Sequence, residues 1–158
     1  MIDHPFPPLF SADSKVLILG SFPSVKSREN MFFYGHPQNR FWRVMAAVLN
    51  EPVPETVPEK KELILSHGFA LWDSIASCDI TGSSDSSIRN AVPTDLSVIL
   101  EHSAVERIFC NGARSYEVYR KYQLPRTGIE AVKLPSTSPA NAACSLEKLI
   151  EAWQVIRG

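Results

Sequence analysis

Short apolar runs that alternate with amphipathic segments are the feature that most limits how this chain can fold. KVLILG at 15–20 is typical of a buried parallel strand that glycine closes. RFWRVMAAVLN at 40–50 instead places its apolar residues on one helical face. The two kinds of run alternate along the chain: strands at 15–20, 69–72, 105–112 and 129–135, helices at 40–50, 93–102, 113–122 and 145–156. This pattern predicts an α/β fold, a three-layer α/β/α sandwich around a central, mainly parallel four-stranded sheet.

Local signals predict where some of these elements begin and what connects them. Thr94 and Ser145 stand where helix N-caps are expected. The charged segment 51–62 contains three prolines and is predicted to be an exposed connection. CDITGSSDSSIRN at 78–90 is polar and rich in serine, and it is predicted to be a long loop.

Chain length and composition predict a single globular domain over residues 1–158, with 44% hydrophobic residues. No apolar run approaches the roughly 20 residues of a membrane span. The first ten residues, MIDHPFPPLF, lack a basic stretch before an apolar core, so no signal peptide is predicted. We therefore expect a cytoplasmic monomer that does not contact membranes.

The cysteines and histidines give no reason to predict a metal or a cofactor. Cys78, Cys110 and Cys144 are far apart and form no CxxC pair, so each is expected to be a small buried residue. The four histidines lack metal-ligand spacing. Neither a glycine-rich phosphate loop nor a GxSxG nucleophile motif occurs.

Charge alone leaves the partner undecided. The formal net charge is −1, which does not indicate a nucleic-acid partner. Four cations lie between positions 26 and 43 with one acid, Glu29, among them: Lys26, Arg28, Arg40 and Arg43. They indicate either an ordinary solvated face or a modest phosphate-binding patch.

Four polar segments follow the predicted strands. They are GSFPS at 20–24, the segment that starts at Asp73, the turn at 111–112 and PSTSPAN at 135–141. Because the carboxyl ends of parallel strands meet at one edge of a sheet, these segments are predicted to form the functional site together.

FYGHPQNRFW at 33–42 combines aromatic side chains with amide and cationic groups. Asn39 is either an N-cap of the following helix or an amide that the turn at 36–37 holds in the site. Tyr34 either packs in the core or stacks on a flat ring. Asp73 either caps a loop or accepts a hydrogen bond from a ring N–H. Ser136 and Ser138 either form turns or donate to phosphate oxygens. Such a site would orient and stack a substrate.

Together and in this order, GSFPS, FYGHPQNRFW, GFALWDSIASCDITGSSDSSIRN and LPSTSPAN resemble the motifs of the uracil-DNA glycosylase superfamily. Within it they are most similar to the hypoxanthine-DNA glycosylase branch. The resemblance implies a monofunctional DNA glycosylase of base excision repair that needs no cofactor. Its substrate would be double-stranded DNA with deaminated bases, above all deoxyinosine, from which it would hydrolyse hypoxanthine.

The resemblance also implies roles for particular residues. Asn39 would be catalytic. The base would be bound by Tyr34, Phe22, Asp73 and Asn111. DNA would be bound by Ser136, Thr137, Ser138, Asn141 and Arg40.

Two positions depart from relatives that cleave uracil. Phe22 stands where those relatives have Asp or Asn, and Leu134 stands where the fastest of them have His. Both departures argue against efficient uracil removal. Because no lysine occupies a clear Schiff-base position, hydrolysis without strand cleavage is expected.

Three alternatives stay open at this point. NRFW at 39–42 is shared with mismatch-specific uracil glycosylases, so the chain is alternatively one of these enzymes. It is alternatively a non-catalytic protein that binds damaged DNA, or a nucleotide-binding α/β protein, against which the missing phosphate loop counts.

Overall fold

The four predicted strands form one sheet, and all of its neighbouring strands are parallel. This computed structural model describes residues 1–157. The strands lie in the order β3–β2–β6–β7, with bounds β2 Val16–Gly20, β3 Phe69–Asp73, β6 Arg107–Asn111 and β7 Ala131–Leu134. Gly20 pairs with Asp73 in the ladder, so the carboxyl ends of β2 and β3 lie side by side. The predicted α/β fold is confirmed.

Helices cover both faces of this sheet because the strand residues alternate between two apolar clusters. Ile18 faces the first cluster, while Leu17 and Leu19 face the second. The helices on the first face are α2 Phe41–Leu49, α3 Val57–Ser66 and α7 Leu146–Trp153. The second face is covered by α4 Ser97–Leu100, α5 Ala113–Val118, a π-helical turn Tyr119–Gln123 and α6 Leu124–Thr127.

A second sheet was not predicted. It is antiparallel, in the order β1–β4–β5, and consists of β1 Ile2–Asp3, β4 Ile75–Asp79 and β5 Arg89–Pro93. The prediction of one loop over 78–90 is therefore wrong at both ends, and a 3₁₀ turn at Asp85–Ser87 lies between the two strands. The sequence of β4 hides this pairing because its two fully buried residues, Ile75 and Cys78, stand three positions apart and do not give the alternation of a regular strand.

Two helix starts differ from the predictions. The connection predicted at 51–62 already contains the start of α3, where Thr56 and Glu59 form a reciprocal capping box. Thr94 is not an N-cap, because its hydroxyl donates to the Asp73 carbonyl (2.8 Å) and α4 begins only at Ser97. Ser145 caps α7 as predicted.

One helix is additional to the predictions. α1 spans Val25–Asn30 directly after the first polar segment, and the Ser24 hydroxyl caps it by accepting from the Ser27 amide. Its N-cap turn fixes the direction in which the chain leaves β2.

The described residues also bear on membrane and metal binding. No helix within residues 1–157 is long and apolar enough to cross a membrane. The same residues bring together no group of three His, Cys, Asp or Glu side chains suited to a metal ion. Cys78 and Cys110 are buried thiols as predicted, whereas Cys144 is half-buried.

Candidate active site

A cavity of about 1100 Å³ opens at the carboxyl edge of the parallel sheet. The four polar segments that were predicted to meet here all line it, and the loop between β4 and β5 adds a further wall. Of the residues named as a site from the sequence, all but Arg40 line this cavity: Phe22, Tyr34, Asn39, Asp73, Asn111, Ser136, Thr137, Ser138 and Asn141. The volume suits a small ring system together with part of a nucleotide.

A chain of hydrogen bonds fixes Asn39. Its Oδ1 accepts from the Phe41 amide (2.9 Å) and from the Thr137 hydroxyl (2.8 Å). Asn111 continues the chain, since its Nδ2 donates to Thr137 Oγ1 and its Oδ1 accepts from the Thr137 amide, both at 3.0 Å. Because only a side-chain oxygen can accept from the Phe41 N–H, the amide orientation is determined. Asn39 Nδ2 makes no hydrogen bond within residues 1–157.

Asn39 thus serves the fold as well as the cavity. It stands two residues before α2 begins at Phe41, and its oxygen accepts from the first amide of that helix. Arg40 and not Asn39 is the N-cap residue of α2, so the N-cap interpretation of Asn39 is wrong. The Asn39 oxygen still bonds the start of the helix, and its nitrogen is left for the cavity.

Tyr34 forms part of the cavity wall with one face of its ring already occupied. It stacks on Phe41 with a centroid distance of 3.9 Å and an interplanar angle of 16°. Its backbone has φ +51°, a left-handed conformation that a bulky side chain adopts only at some cost. The hydroxyl is buried and lacks a hydrogen-bond partner among the described residues. Burial, and then the negative charge of Asp73, raise the pKa of the phenol far above its ordinary value, so the hydroxyl remains protonated.

Asp73 is paired with a residue that the sequence did not point to. Its Oδ2 lies 2.6 Å from His4 Nε2, and each side chain is only 6% exposed. Asp73 Oδ1 makes no hydrogen bond within the described chain. A Cβ at Gly20 would overlap this oxygen and would lie 3.0 Å from the Tyr34 hydroxyl, so only glycine fits beneath the pair. A single oxygen of the carboxylate thus remains available beside the Tyr34 hydroxyl.

Phe22 and Leu134 supply apolar surface at the two positions that depart from uracil-cleaving relatives. Phe22 lines the cavity, and its ring stands edge-on to His4 with 6.0 Å between centroids. Leu134 is only 3% exposed at the end of β7. Neither side chain can orient water or donate a hydrogen bond.

Asp85 is a cavity residue that the sequence analysis missed. It accepts from the Ser21 hydroxyl at 2.8 Å, which joins the loop between β4 and β5 to the end of β2. Solvent reaches the carboxylate through the cavity mouth, yet the surrounding walls remove much of its hydration. This desolvation raises the pKa of Asp85, while the Ser21 bond and the Arg114 charge oppose the rise. Its place within a serine-rich segment gave no signal in the sequence.

The loop from 135 to 141 is internally bonded, and its side chains differ in exposure. Ser136 Oγ accepts from the Ser138 amide (3.1 Å), and Asn141 Nδ2 donates to the Ser136 carbonyl (3.1 Å). These three side chains are half-buried in the cavity wall, where DNA contact stays a prediction. The Thr137 side chain has no exposed surface and its hydroxyl bonds Asn39 and Asn111, so its contact with DNA stays a prediction.

Arg40 holds this loop from behind. Its Nη2 donates to the carbonyls of Ser138 (2.9 Å) and Asn141 (3.1 Å), and its Nη1 donates to the Cys144 carbonyl. Its Nε donates to the Thr137 carbonyl at 3.4 Å. With most of its N–H groups on the loop backbone, Arg40 has little left for a phosphate, and direct DNA contact by this residue stays a prediction.

Comparisons with known proteins agree over almost the whole chain. The model of the uracil DNA glycosylase superfamily matches residues 7–157. A protein named hypoxanthine DNA glycosylase from Methanosarcina acetivorans is 33% identical over 157 residues, which is 99% of this chain and 98% of the relative. A protein of the same name from Methanosarcina barkeri is 29% identical over 150 residues, or 94% of this chain and 93% of the relative.

One solved structure has the same architecture. The solution NMR structure of a candidate uracil DNA glycosylase from Methanosarcina acetivorans is similar, with a TM-score of 0.82. The sequence identity is 29%, and the match covers 100% of both chains.

Proposed function

Since the chain belongs to the uracil DNA glycosylase superfamily, we propose that it is a monofunctional DNA glycosylase that removes deaminated bases from double-stranded DNA. Its principal substrate is deoxyinosine, from which it hydrolyses hypoxanthine. The two relatives that carry the name hypoxanthine DNA glycosylase support this substrate.

The observation that carries the proposal is the carboxylate oxygen Asp73 Oδ1 at the cavity wall, beside the buried Tyr34 hydroxyl. Hypoxanthine has an N1–H donor next to its O6 acceptor. The Asp73 oxygen accepts from N1–H, and a backbone N–H of the cavity wall donates to O6, which leaves the ring of Tyr34 available for stacking. Adenine has a bare N1, which would face the carboxylate with no proton between them, so a buried acceptor would lose its partner.

The aromatic surfaces receive the base once it has left the duplex. Extrusion costs a few kcal/mol and costs least for a weak pair such as a wobble pair, which favours inosine opposite a base other than cytosine. Stacking on an aromatic ring returns roughly 1–3 kcal/mol per base. Tyr34 has one ring face covered by Phe41, so the base stacks on its other face or on Phe22.

Asn39 acts through its amide nitrogen. Its oxygen is held by Phe41 and Thr137, whereas Nδ2 makes no protein hydrogen bond. A fixed N–H donor stabilises negative charge that appears on the base as the glycosidic bond breaks. Of the two roles open for Asn39, contact with the base is therefore favoured over orientation of water.

Asp85 accepts the proton of the attacking water. The bond between C1′ and N9 breaks and leaves its electron pair on the base, while the water oxygen bonds C1′ of the cationic sugar. The water proton passes to Asp85, and the departing base anion takes up a proton from solvent. Asp73 Oδ1 is assigned to the base and Asn39 has no free oxygen, so Asp85 is better placed than either of them to accept the proton.

Lys133 is a cavity residue with an amine, and it lies at the exposed rim, 5.9 Å from the centroid of the Tyr116 ring. A Schiff-base mechanism would need this amine at C1′. We expect no covalent protein–DNA product when borohydride is added during turnover, and no effect of Lys133→Ala on base release. A trapped product that Lys133→Ala removes would contradict hydrolysis by water alone.

The proposed function is tested with duplex oligonucleotides that each carry one inosine, xanthine, uracil, adenine or guanine. Alkali cleaves the abasic product, and single-turnover rates are compared. Inosine should react fastest, and adenine should not react. Strong cutting of uracil without cutting of inosine would contradict the hypoxanthine assignment. Gel shifts with inosine duplexes but no abasic product would instead indicate a non-catalytic binder.

Uracil is the second candidate substrate for a specific reason. Its N3–H lies next to a carbonyl oxygen, so it offers the Asp73 oxygen the same donor that hypoxanthine does. Uracil ranks second because Phe22 and Leu134 supply no polar group at the two positions where the resemblance places Asp or Asn and His in enzymes that cleave uracil.

A further inference from the structure

The N-terminal segment brings an imidazole to the back of the cavity. His4 directly follows β1, and its backbone amide donates to the Ala76 carbonyl at 2.8 Å. The pairing of Ile2 with Cys78 and of Asp3 with Ser77 therefore fixes how far His4 reaches. The imidazole does not line the cavity and lies behind Asp73, which is 69 positions away in sequence.

The surroundings of His4 leave it a single polar partner. Phe6 stands edge-on to the imidazole at 4.5 Å between centroids, and Phe22 and Phe33 follow at 6.0 and 6.4 Å. Nδ1 is buried and has no hydrogen-bond partner among the described residues. The ring can therefore bond only through Nε2, which lies 2.6 Å from Asp73 Oδ2.

We propose that His4 is a positioning residue for base recognition: its Nε2–H holds Asp73 Oδ2, so that Oδ1 alone faces the base. This inference rests on the proposed role of Asp73. A carboxylate attached by a short side chain can turn about its last bond, so that neither oxygen points towards the base. The bond from His4 restricts that rotation, and the missing side chain at Gly20 leaves the space that Oδ1 occupies.

His4 thereby affects selectivity without touching the substrate. When Oδ1 is fixed, N1–H of hypoxanthine finds an acceptor in the correct direction. When it is free, the carboxylate turns, and the bond to the base weakens or lengthens. Misplacement by about 1 Å can lower a rate by about 10²-fold. The contribution of the loop at 135–141 to DNA affinity should not change, because His4 makes no hydrogen bond to that loop.

Two variants separate the hydrogen bond from the packing. His4→Phe keeps a ring in the aromatic pocket and removes the donor, whereas His4→Gln places an amide N–H near the position of Nε2. Single-turnover release of hypoxanthine should fall about 10²-fold in His4→Phe and should stay within about fivefold of wild type in His4→Gln. The DNA concentration at half-maximal rate should change little in either variant.

A double-mutant cycle tells positioning from a general structural role. If His4 acts through Asp73, His4→Phe should cause no further loss in an Asp73→Asn background. Ile99→Ala is the matched control, because Ile99 is a fully buried apolar residue in the cluster on the second face of the parallel sheet, which does not include His4 or its aromatic neighbours. It should lower the unfolding temperature and leave the excision rate unchanged. A full additional loss from His4→Phe in Asp73→Asn, or a rate within about twofold of wild type in His4→Phe alone, would overturn the inference.

The inference also has readouts that do not need turnover. In ¹H–¹⁵N spectra the His4 Nε2–H should be shifted downfield and protected from exchange, and it should lose both properties in Asp73→Asn. If the wild-type protein releases no base, the proposed function fails. The comparison then uses the ratio of dissociation constants for inosine and adenine duplexes, which His4→Phe should bring towards one. A ratio that does not change would overturn the role of His4.

Discussion

Two hydrogen bonds hold the Asn39 side-chain oxygen, one from the Phe41 amide and one from the Thr137 hydroxyl. The same residue thus stabilises the start of α2 and presents its nitrogen to the cavity. Asn39→Asp keeps an oxygen for both bonds and replaces the amide nitrogen with a second, negative oxygen. This substitution separates the role of the side-chain oxygen at the start of α2 from the role of the nitrogen as a donor in the cavity.

We predict that Asn39→Asp lowers the excision rate by about 10²–10³-fold, because a donor to the departing base is lost. Its thermal stability should remain close to wild type. Asn39→Ala should lose comparable activity and, in addition, about 1 kcal/mol of stability, because the Phe41 amide loses its acceptor. Single-turnover assays and thermal unfolding measure both effects. An Asn39→Asp variant that is as fast as wild type, or faster, would show that position 39 acts as an acceptor for water.

Asp85 should make the rate of base release fall at low pH. The carboxylate accepts a proton only when ionised, and its pKa is raised by partial desolvation. As pH falls through this raised pKa, the rate should fall about tenfold per pH unit, whereas above it the rate should be constant. The Asp85→Asn variant should release the base slowly, and its rate should not fall further at low pH. The Ser21 hydroxyl can still donate to the side-chain oxygen of the new asparagine.

The charged groups around Asp85 are Asp73 at the end of β3 and Arg114 on α5, with Glu117 also in the cavity wall. If the rate of Asp85→Asn still falls at low pH, another group is responsible for that fall, which would contradict the role of Asp85.

At the scale of the elements, Arg40 links α2 to the loop at 135–141 through carbonyl acceptors. We predict that Arg40→Gln weakens DNA binding about tenfold by loosening the loop. The dependence of affinity on salt should not change, because no phosphate contact is lost. Lys133, at the exposed rim of the cavity, supplies the comparator. If Lys133→Gln loses a phosphate contact, the slope of log affinity against log salt concentration should become shallower by about 0.9. The same shallower slope in Arg40→Gln would establish direct phosphate contact by Arg40.

Elements that carry their own periodicity could be predicted from the sequence. The apolar run at 15–20 and the one-sided helix at 40–50 each contain the information that places them, and both are found there. β1 has two residues, and β4 mixes apolar and polar residues without alternation and has an irregular register against β5. Such strands depend on partners far along the chain, so no local pattern indicates them.

At the scale of the whole molecule, the position of the site followed from the parallel topology, because the carboxyl ends of the strands had to meet. The atoms that act there did not follow. The Phe41 amide orients the Asn39 side chain locally, but the Thr137 hydroxyl that occupies the same oxygen and leaves only the nitrogen for the cavity is distant in sequence. The pairing of His4 with Asp73 requires the second sheet, and Asp85 reaches Ser21 through the loop between β4 and β5. Long-range packing determines each of these contacts.

The central claim is that the cavity recognises a base with a ring N–H beside a carbonyl through the fixed oxygen of Asp73. The most direct measurement is mass spectrometry of the free base released from a duplex pool that contains deoxyinosine, deoxyuridine and normal nucleotides in equal amounts. The wild-type protein should release mainly hypoxanthine and no adenine, and Asp73→Asn should release far less hypoxanthine. Release of uracil alone, or an Asp73→Asn variant with wild-type yield and selectivity, would contradict the claim.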